Sequence, residues 1–109
     1  NKGNEIMKNM ASMMKQAQQM QKNMQNLQAE LEKHEITGSA AGNSVEVTMT
    51  CKHKITGLKI DASVVDADDI ETLEDLITVA FNDAADKVET YVNTEVNKVT
   101  GGMNIPGLG

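Results

Sequence analysis

At 109 residues the chain has material for one hydrophobic core and not for two, because a domain of this size buries only about 65% of its unfolded surface. Aromatic residues make up 2% of the composition, which argues against an aromatic-lined ligand pocket and requires a core of aliphatic side chains and methionine. The formal net charge is −6, yet residues 1–60 carry eight lysines and five acids, whereas residues 61–99 carry two lysines and eleven acids. Partners must therefore be considered region by region.

The cellular compartment is predicted from the single cysteine. Cys51 has no second cysteine with which to form an internal disulfide, and this favours a reducing compartment, the cytoplasm by default. No run approaches the roughly 18 apolar residues that span a bilayer, and the N-terminus lacks the order of a signal peptide. We therefore expect no association with a membrane.

The first predicted element is a long amphipathic helix from about residue 5 to about residue 34. Apolar residues recur at intervals of four and three from Ile6 to Leu31, which is the heptad spacing of a helix–helix seam. Strong helix formers dominate, and the predicted length of roughly 40 Å exceeds what so small a domain needs. We expect this helix to project from the body or to pair with a second chain. The predicted core or dimer seam comprises Met10, Met13, Ala17, Met20, Met24, Leu27 and Leu31.

Lysines recur at every seventh position on the same helix, at Lys8, Lys15 and Lys22. With Met10 and Met13 at the two seam positions of the heptad, these lysines fall at the position farthest from the seam. They are predicted to form an outward-facing row. Any soluble amphipathic helix displays such lysines, and the same row is available to a polyanion.

Three short strands are predicted between residues 35 and 61. From Val45 to Cys51, apolar and polar side chains alternate with the period of two that is typical of a strand with one buried face. Turn-forming residues flank this segment, and Leu58 and Ile60 resume the alternation, so the pattern predicts an antiparallel meander. Its two open edges must be covered or paired, and dimerisation through an edge is one solution.

The C-terminal part is predicted to be helical from about residue 62 to about residue 98, with a short helical turn at Ala62 to Val65 before a long helix. Either Asp68 or Asp69 is suited to cap the long helix, whose acidic first turn suits the helix dipole. A wide apolar stripe from Ile70 to Val92 indicates a core-facing helix, and β-branched residues beyond Val92 are expected to weaken its end. Residues 101–109 are expected to form a flexible tail outside a single domain of residues 1–100.

Three segments, taken in order, resemble the YbaB/EbfC family of bacterial nucleoid-associated proteins: MMKQAQQMQKNMQNLQAEL, ITGSAAGNSVEVTMTCKHKITGLKID and LEDLITVAFNDAADKVE. Together they cover most of the chain at the family's spacing. The resemblance implies an α+β subunit with the order α–β–β–β–α–α. It also implies a tweezer-like homodimer with packed sheets and projecting helices, and a non-enzymatic DNA-binding function at the bacterial nucleoid.

The chain departs from the family's pattern in the loops and in its cationic residues. Cys51 stands where the turn after the middle strand usually carries glycine, Ala62 stands where a proline is common, and the acidic linker VVDADD is one residue longer than usual. All ten cationic residues are lysines. Because bidentate reading of guanine by arginine is the commonest specific major-groove contact, we expect weak sequence specificity.

The leading functional hypothesis is a homodimer that binds double-stranded DNA with low specificity through its projecting helices. Lysines would neutralise phosphates and nearby amide side chains would assist, while Lys87 and Lys98 of the last helix are candidates for the opposing jaw of a clamp. The candidate DNA-binding residues are Lys8, Lys15, Gln16, Gln19, Lys22, Asn23, Lys87 and Lys98.

The alternative hypothesis is a protein-interaction module in which the Met-rich helix docks onto a partner helix, because methionine fills irregular apolar interfaces. Salt distinguishes the two hypotheses. Counterion release weakens DNA binding steeply as salt rises, whereas an apolar groove is nearly indifferent to it.

Enzymatic and metal-binding functions are not expected. Cys51 and His53 lack a second pair of ligands, and the segment TCKHK lacks the strand–elbow–helix context of a catalytic nucleophile. The acids between Asp66 and Asp75 do not have the spacing of a calcium-binding loop, and helix capping explains them. We expect no cofactor, no metal and no small-molecule substrate.

Overall fold

The computed structural model describes residues 2–101, which form two long helices and one three-stranded sheet. The elements are α1 (Lys2–Leu31), β1 (Glu35–Ala40), β2 (Val45–Thr50), β3 (Ile55–Ile60), a short 3₁₀ turn (Ala62–Val64) and α2 (Ile70–Thr100). The predicted α+β fold is confirmed. Gly101, the first residue of the predicted tail, caps α2 in the left-handed conformation, and residues 102–109 lie outside the described residues.

The C-terminal end of α1 is held by the sheet. The amide of Cys51 donates to the carbonyl of Leu31 at 3.2 Å and to the carbonyl of His34 at 3.1 Å. Residues at a helix terminus leave carbonyls without helical partners, and here the end of β2 supplies a donor. The helix ends at Leu31, three residues before the predicted boundary at residue 34.

The sheet has the order β1–β2–β3, with both pairs antiparallel. The predicted alternation of β2 is confirmed from Val45 to Met49, because Val45, Val47 and Met49 are almost fully buried while Glu46 and Thr48 are only partly so. It ends at Thr50, which was expected on the polar face and is buried. An irregularity between Thr48 and Met49 shifts the register against β3. In the other pair, the buried Gly38 and Ala40 of β1 lie opposite Val47 and Val45, so the buried face is continuous across β1 and β2.

Helix α2 packs chiefly against β1 and β2 and leaves β3 largely uncovered. Its three fully buried side chains, Ala80, Ala84 and Val88, lie on the face that meets the sheet. Gly38 in β1 lies against this face. A Cβ atom at position 38 would stand 2.1 Å from the backbone nitrogen of Ala84 and 2.5 Å from the carbonyl oxygen of Ala80. The close helix–sheet approach thus depends on a residue without a side chain.

The molecule is elongated, with principal extents of 82 × 20 × 19 Å and a Cα radius of gyration of 21.4 Å. A compact chain of this length would have a radius of gyration of about 13 Å. The difference arises because the C-terminal part of α2 extends beyond the sheet beside α1. Helix α1 then continues alone beyond the end of α2. Every side chain from residue 2 to residue 19 is exposed. We call residues 2–19 the projecting arm, which is about 27 Å long.

The end of α2 differs from the sequence expectation. The β-branched residues beyond Val92 were expected to weaken it, yet the helix continues to Thr100. Val96 and Val99 pack against the core, and Thr100 is buried. Tertiary packing therefore outweighs a low intrinsic helix propensity at this end.

A carboxylate of α2 ties the outer edge of β1 to the helix. The backbone amide of Ser39 donates to Oδ2 of Asp83 at 2.9 Å, and Nζ of Lys87 lies 3.1 Å from the same oxygen. The Ser39 hydrogen bond is the largest cause that lowers the pKa of Asp83, and Lys87 lowers it further. The ionised form is thus favoured in the folded protein.

This depressed pKa predicts a loss of stability in acid. A lowered pKa in the folded state contributes stability that is present above the unfolded pKa and lost as the pH falls through the folded value. We expect Asp83→Asn to remove part of the acid-dependent decline in the free energy of unfolding. The part due to Asp61 and Asp69, whose pKa values are also lowered by hydrogen bonds to nearby residues, remains. Urea unfolding between about pH 3 and pH 7 measures this, and identical pH profiles for the two proteins would contradict it.

Candidate nucleic-acid interface

Three lysines form a row along α1. Lys8, Lys15 and Lys22 are exposed, and successive members are about 10.5 Å apart along the helix axis. Within the described residues 2–101, none of the three forms an ion pair. Two of them lie on the projecting arm and Lys22 lies at its base, so all three charges are available to an anionic partner.

The amide residues predicted to assist these lysines lie on the same helix. Gln16, Gln19 and Asn23 are exposed, and Nε2 of Gln19 donates to Oδ1 of Asn23 at 2.9 Å. This bond leaves the amide nitrogen of Asn23 free to donate to a phosphate oxygen. The structure thus places these three candidates beside the lysine row.

The two candidate lysines of α2 are in a different situation, because each is paired with an acid. Nζ of Lys87 lies 3.1 Å from Asp83, and Nζ of Lys98 lies 3.4 Å from Glu95. Lys98 shares a cleft between the helices with Asn23, at the base of the arm. Lys87 lies about 16 Å further along α2, beside the sheet. The structure therefore brings Lys98, and not Lys87, close to the α1 candidates.

The predicted seam divides into two halves in the single chain. Leu27 and Leu31 are buried, Met24 packs against the core, and Met20 is half-buried. The remaining members extend beyond the end of α2, where Met10 is 58% exposed and Met13 is 67% exposed. The lower half is thus part of the chain's own core. The upper half, Met10, Met13 and Ala17, lies on the projecting arm.

The acidic cluster lies at the far end of the molecule from the arm. Asp69 caps α2 by accepting from the backbone nitrogen of Thr72 at 3.3 Å and from its hydroxyl at 2.6 Å. Asp69 and Lys98 are separated by about 43 Å along α2, several times the Debye length of about 10 Å at 0.1 M salt. The acids around residue 69 therefore repel an anion on the arm only weakly.

The single thiol is buried beneath the turn that follows β2. Burial and the nearby Glu30 raise the pKa of Cys51, although Lys52 acts in the opposite direction. A raised pKa keeps the thiol protonated and unreactive near neutral pH. Cys51 therefore acts as a packing residue at the end of β2.

A shallow, open cleft of about 520 Å³ lies between β1 and α2. Beside it the rings of His34 and Tyr91 stack with centroids 4.2 Å apart and planes inclined by 7°. Burial, followed by the charges of Glu95 and Glu30, raises the pKa of Tyr91. Among the described residues no cluster of three or more His, Cys, Asp or Glu side chains is arranged to hold a metal ion. The same part of the chain contains no helix that is long and apolar enough to cross a membrane.

Two features of the site region were not predicted from the sequence. One is the close contact of Gly38 with α2. A single glycine within a strand pattern often marks the close approach of another backbone, so the sequence did contain a signal for this contact. The other is the exposure of Leu58, which shares a face with the buried Val47 but is 53% exposed, because α2 does not extend over β3.

Fold and site together define an elongated α+β protein that carries a lysine-lined helical arm away from an acidic end. The family model described as the YbaB/EbfC DNA-binding family matches residues 7–103. The chain belongs to this family.

Similar proteins of known sequence agree with this assignment. The chain is 48% identical over 100 residues to a nucleoid-associated protein of Alkaliphilus metalliredigens, an alignment that covers 92% of this chain and 88% of the relative. It is 49% identical to one of Granulibacter bethesdensis, with 92% and 94% covered. An uncharacterized protein, HP0035 from Helicobacter pylori, has the same fold in its crystal structure, with a TM-score of 0.65 and 23% identity over 75% of this chain and 86% of that chain.

Proposed function

We propose that the protein is a non-enzymatic nucleoid-associated protein that binds double-stranded DNA with low sequence specificity. The observation that carries this proposal is the row of three exposed lysines on and beside the projecting arm, which form no ion pair within residues 2–101. The family match and the names of the relatives support it. The protein then acts in the bacterial cytoplasm, at the nucleoid.

The mechanism is the neutralisation of phosphates by lysine, with release of the counterions that the phosphates had condensed. The six lysines of two lysine rows in a dimer give a slope of log affinity against log salt of about −5, at about 0.9 per phosphate. Gln16, Gln19 and Asn23 add hydrogen bonds to phosphate or to base edges. The lack of arginine is consistent with weak base reading.

The salt dependence of DNA binding tests the proposed function. We expect fluorescence anisotropy with a random duplex of about 30 base pairs to show binding near 50 mM salt and a loss of about 10³-fold in affinity near 200 mM. Undetectable binding near 50 mM, or an affinity that hardly changes between the two conditions, would contradict DNA binding by phosphate neutralisation.

A homodimer is supported by an apolar surface that the single chain leaves open. Ile55 and Leu58 on β3 are about half exposed, and so is Ile70 on the neighbouring face of α2, where Phe81 is also exposed. Strand β3 also offers an unpaired sheet edge. A second copy of the chain would cover both the apolar face and the edge, and would place two arms on one particle.

The dimer proposal predicts the effect of a charge at the centre of this surface. Leu58→Lys is expected to convert the dimer to a monomer without unfolding the chain, because Leu58 is already half exposed and a buried unpaired charge is costly at an interface. The matched control is Val79→Lys. Val79 is 55% exposed and lies about 160° around α2 from Phe81, on the other flank of the helix, so this change leaves the dimer intact. Sedimentation equilibrium measures the mass of each variant, and a dimeric Leu58→Lys protein would overturn the proposed interface.

The alternative function, docking of a partner protein on the Met-rich helix, has one observation in its favour. Ile6, Met7, Met10, Met13 and Met14 are all exposed on the arm. An amphipathic partner helix would bury such a stripe with little dependence on salt. The family match favours the DNA-binding function over this alternative.

A further inference from the structure

The turn between β2 and β3 carries a second concentration of positive charge. From Val47 to Ile60 the chain has three lysines and a histidine and no acid. Two of these lysines, Lys52 and Lys54, flank His53 at the tip of the hairpin, and all three side chains are exposed. Within the described residues neither lysine forms an ion pair. We call Lys52, His53 and Lys54 the hairpin cluster.

The backbone of the hairpin cluster is held in one conformation by Thr50. The hydroxyl of this buried residue accepts from the backbone nitrogens of Lys52 and Lys54, each at 3.2 Å. Its carbonyl accepts from His53 at 2.9 Å, and its own amide donates to the carbonyl of Lys54 at 2.8 Å. His53 has a φ of 64°, a left-handed conformation that this network maintains. The side chains of Lys52 and Lys54 therefore project from a turn whose backbone is fixed by hydrogen bonds.

The hairpin cluster lies against the last turn of α1, at the end of the helix that is joined to the sheet. The amide of Cys51 donates to the carbonyl of Leu31, and Nζ of Lys52 donates to Oε1 of Gln28. Gln28 follows Lys22 by six residues, which places it about 9 Å further along α1 and about 120° around the helix. Lys52 thus extends the positive charge of α1 towards the sheet, on a different flank from the lysine row.

The charge of this region is opposed by Glu30, whose field contributes to the raised pKa of Cys51, and by Glu35, which lies opposite Thr50 in the strand register. Glu30 forms no ion pair with Lys52 or Lys54 within residues 2–101. Lys22 and Gln28 are about 9 Å apart along the axis of α1 and about 120° apart around it. A duplex carries a phosphate charge about every 1.7 Å of its axis, so one duplex is long enough to contact both groups of lysines.

We propose that Lys52 and Lys54 form a second phosphate-contacting surface, which binds the backbone of the same duplex as the lysine row of α1. This inference rests on the proposed DNA-binding function and adds to it a contact at the C-terminal end of α1. The ordered turn reduces the conformational cost of each contact, because the lysine backbones are already fixed before DNA binds. Binding by both surfaces extends the footprint of each chain from the arm onto the sheet.

The test measures the slope of log affinity against log salt for three proteins. They are wild type, the double variant with Lys52→Gln and Lys54→Gln, and the control variant Lys59→Gln. The double variant is expected to lower the magnitude of the slope by about 2 for each chain that binds DNA, because each phosphate that is no longer neutralised accounts for about 0.9. Lys59 is an exposed lysine at the other end of β3, about 16 Å along the strand from Lys54, and it lies opposite Glu46 in the strand register. Its neutralisation is therefore expected to leave the slope unchanged. A second double variant, Lys52→Arg with Lys54→Arg, keeps both charges and retains the wild-type slope.

The outcomes separate this inference from the function on which it rests. If wild type does not bind near 50 mM salt, the proposed function and the inference both fail. If wild type binds with a steep slope and the glutamine double variant matches the Lys59→Gln control, the inference alone is overturned. It is also overturned if the arginine variant loses as much slope as the glutamine variant, because a structural role of the turn then explains the loss. Thermal melts followed by circular dichroism establish that each variant is folded.

Discussion

Replacing Gly38 with alanine is expected to lower the free energy of unfolding by about 3 kcal/mol or more, at the upper end of the usual cost of overpacking. The new Cβ would stand 2.1 Å from the backbone nitrogen of Ala84 and 2.5 Å from the carbonyl oxygen of Ala80. A flexible side chain can rotate away from such a contact, but the backbone of a helix cannot. Strand β1 and helix α2 must therefore separate along the face that forms the core.

The chain provides its own control for this effect at Gly57, a glycine inside β3 of the same sheet. A Cβ at position 57 meets only the Cβ of Thr48, at an ordinary distance of 3.7 Å. Gly57→Ala is expected to change stability by less than about 1 kcal/mol, since it affects mainly the freedom of the unfolded chain. Urea unfolding at one protein concentration compares the two variants, because coupling to dimerisation would otherwise distort the comparison. Equal stabilities would contradict the proposed role of Gly38.

Neutralising the three lysines of the row, Lys8→Gln, Lys15→Gln and Lys22→Gln, is expected to reduce DNA affinity near 50 mM salt by at least about 10³-fold, which is the loss that six phosphate contacts give between 50 and 200 mM salt. The slope of log affinity against log salt should fall in magnitude by about 5 if both chains of a dimer contact DNA. These three side chains are exposed and unpaired within residues 2–101, so their loss leaves the core unchanged. Anisotropy titration across several salt concentrations measures both quantities.

The control for this variant keeps the positive charge at the same positions by substituting arginine for each lysine. Arginine has a helix propensity close to that of lysine and neutralises phosphate equally well, so near-wild-type affinity and slope are expected. If the glutamine variant binds as tightly as wild type, the row is only a solvated helix face. The search for a function would then turn to protein partners of the Met-rich helix.

Much of the fold was predictable because it depends on local patterns. The strong helix formers and the heptad spacing predicted α1, and the alternation from Val45 to Cys51 predicted β2 and its buried face. Asp69 was one of two predicted caps and is the residue that caps α2. Each of these features is encoded within a few neighbouring residues, so no knowledge of distant contacts was needed.

The candidate site was predictable only in part. Spacing alone placed Lys8, Lys15 and Lys22 on one outward face, and the structure shows that face to be exposed. Spacing gave no information on whether Lys87 and Lys98 are paired with acids, because those pairs depend on rotamers and on the position of α2. Nor did it bring Lys52 of the hairpin beside Gln28 of α1, since that contact joins two elements that are distant in sequence.

The sequence by itself determined the elements, the faces of the helices and the outward row of lysines, because helix and strand periodicities act over a few residues. Only the tertiary structure decided where α2 stops covering the sheet, which leaves Leu58 open, and how far α1 extends past Thr100, which divides its seam into a core and an arm. It also decided that the acids near Asp69 lie at the opposite end of the molecule from that arm. These features depend on the packing of elements far apart in the chain, and no local pattern encodes that packing.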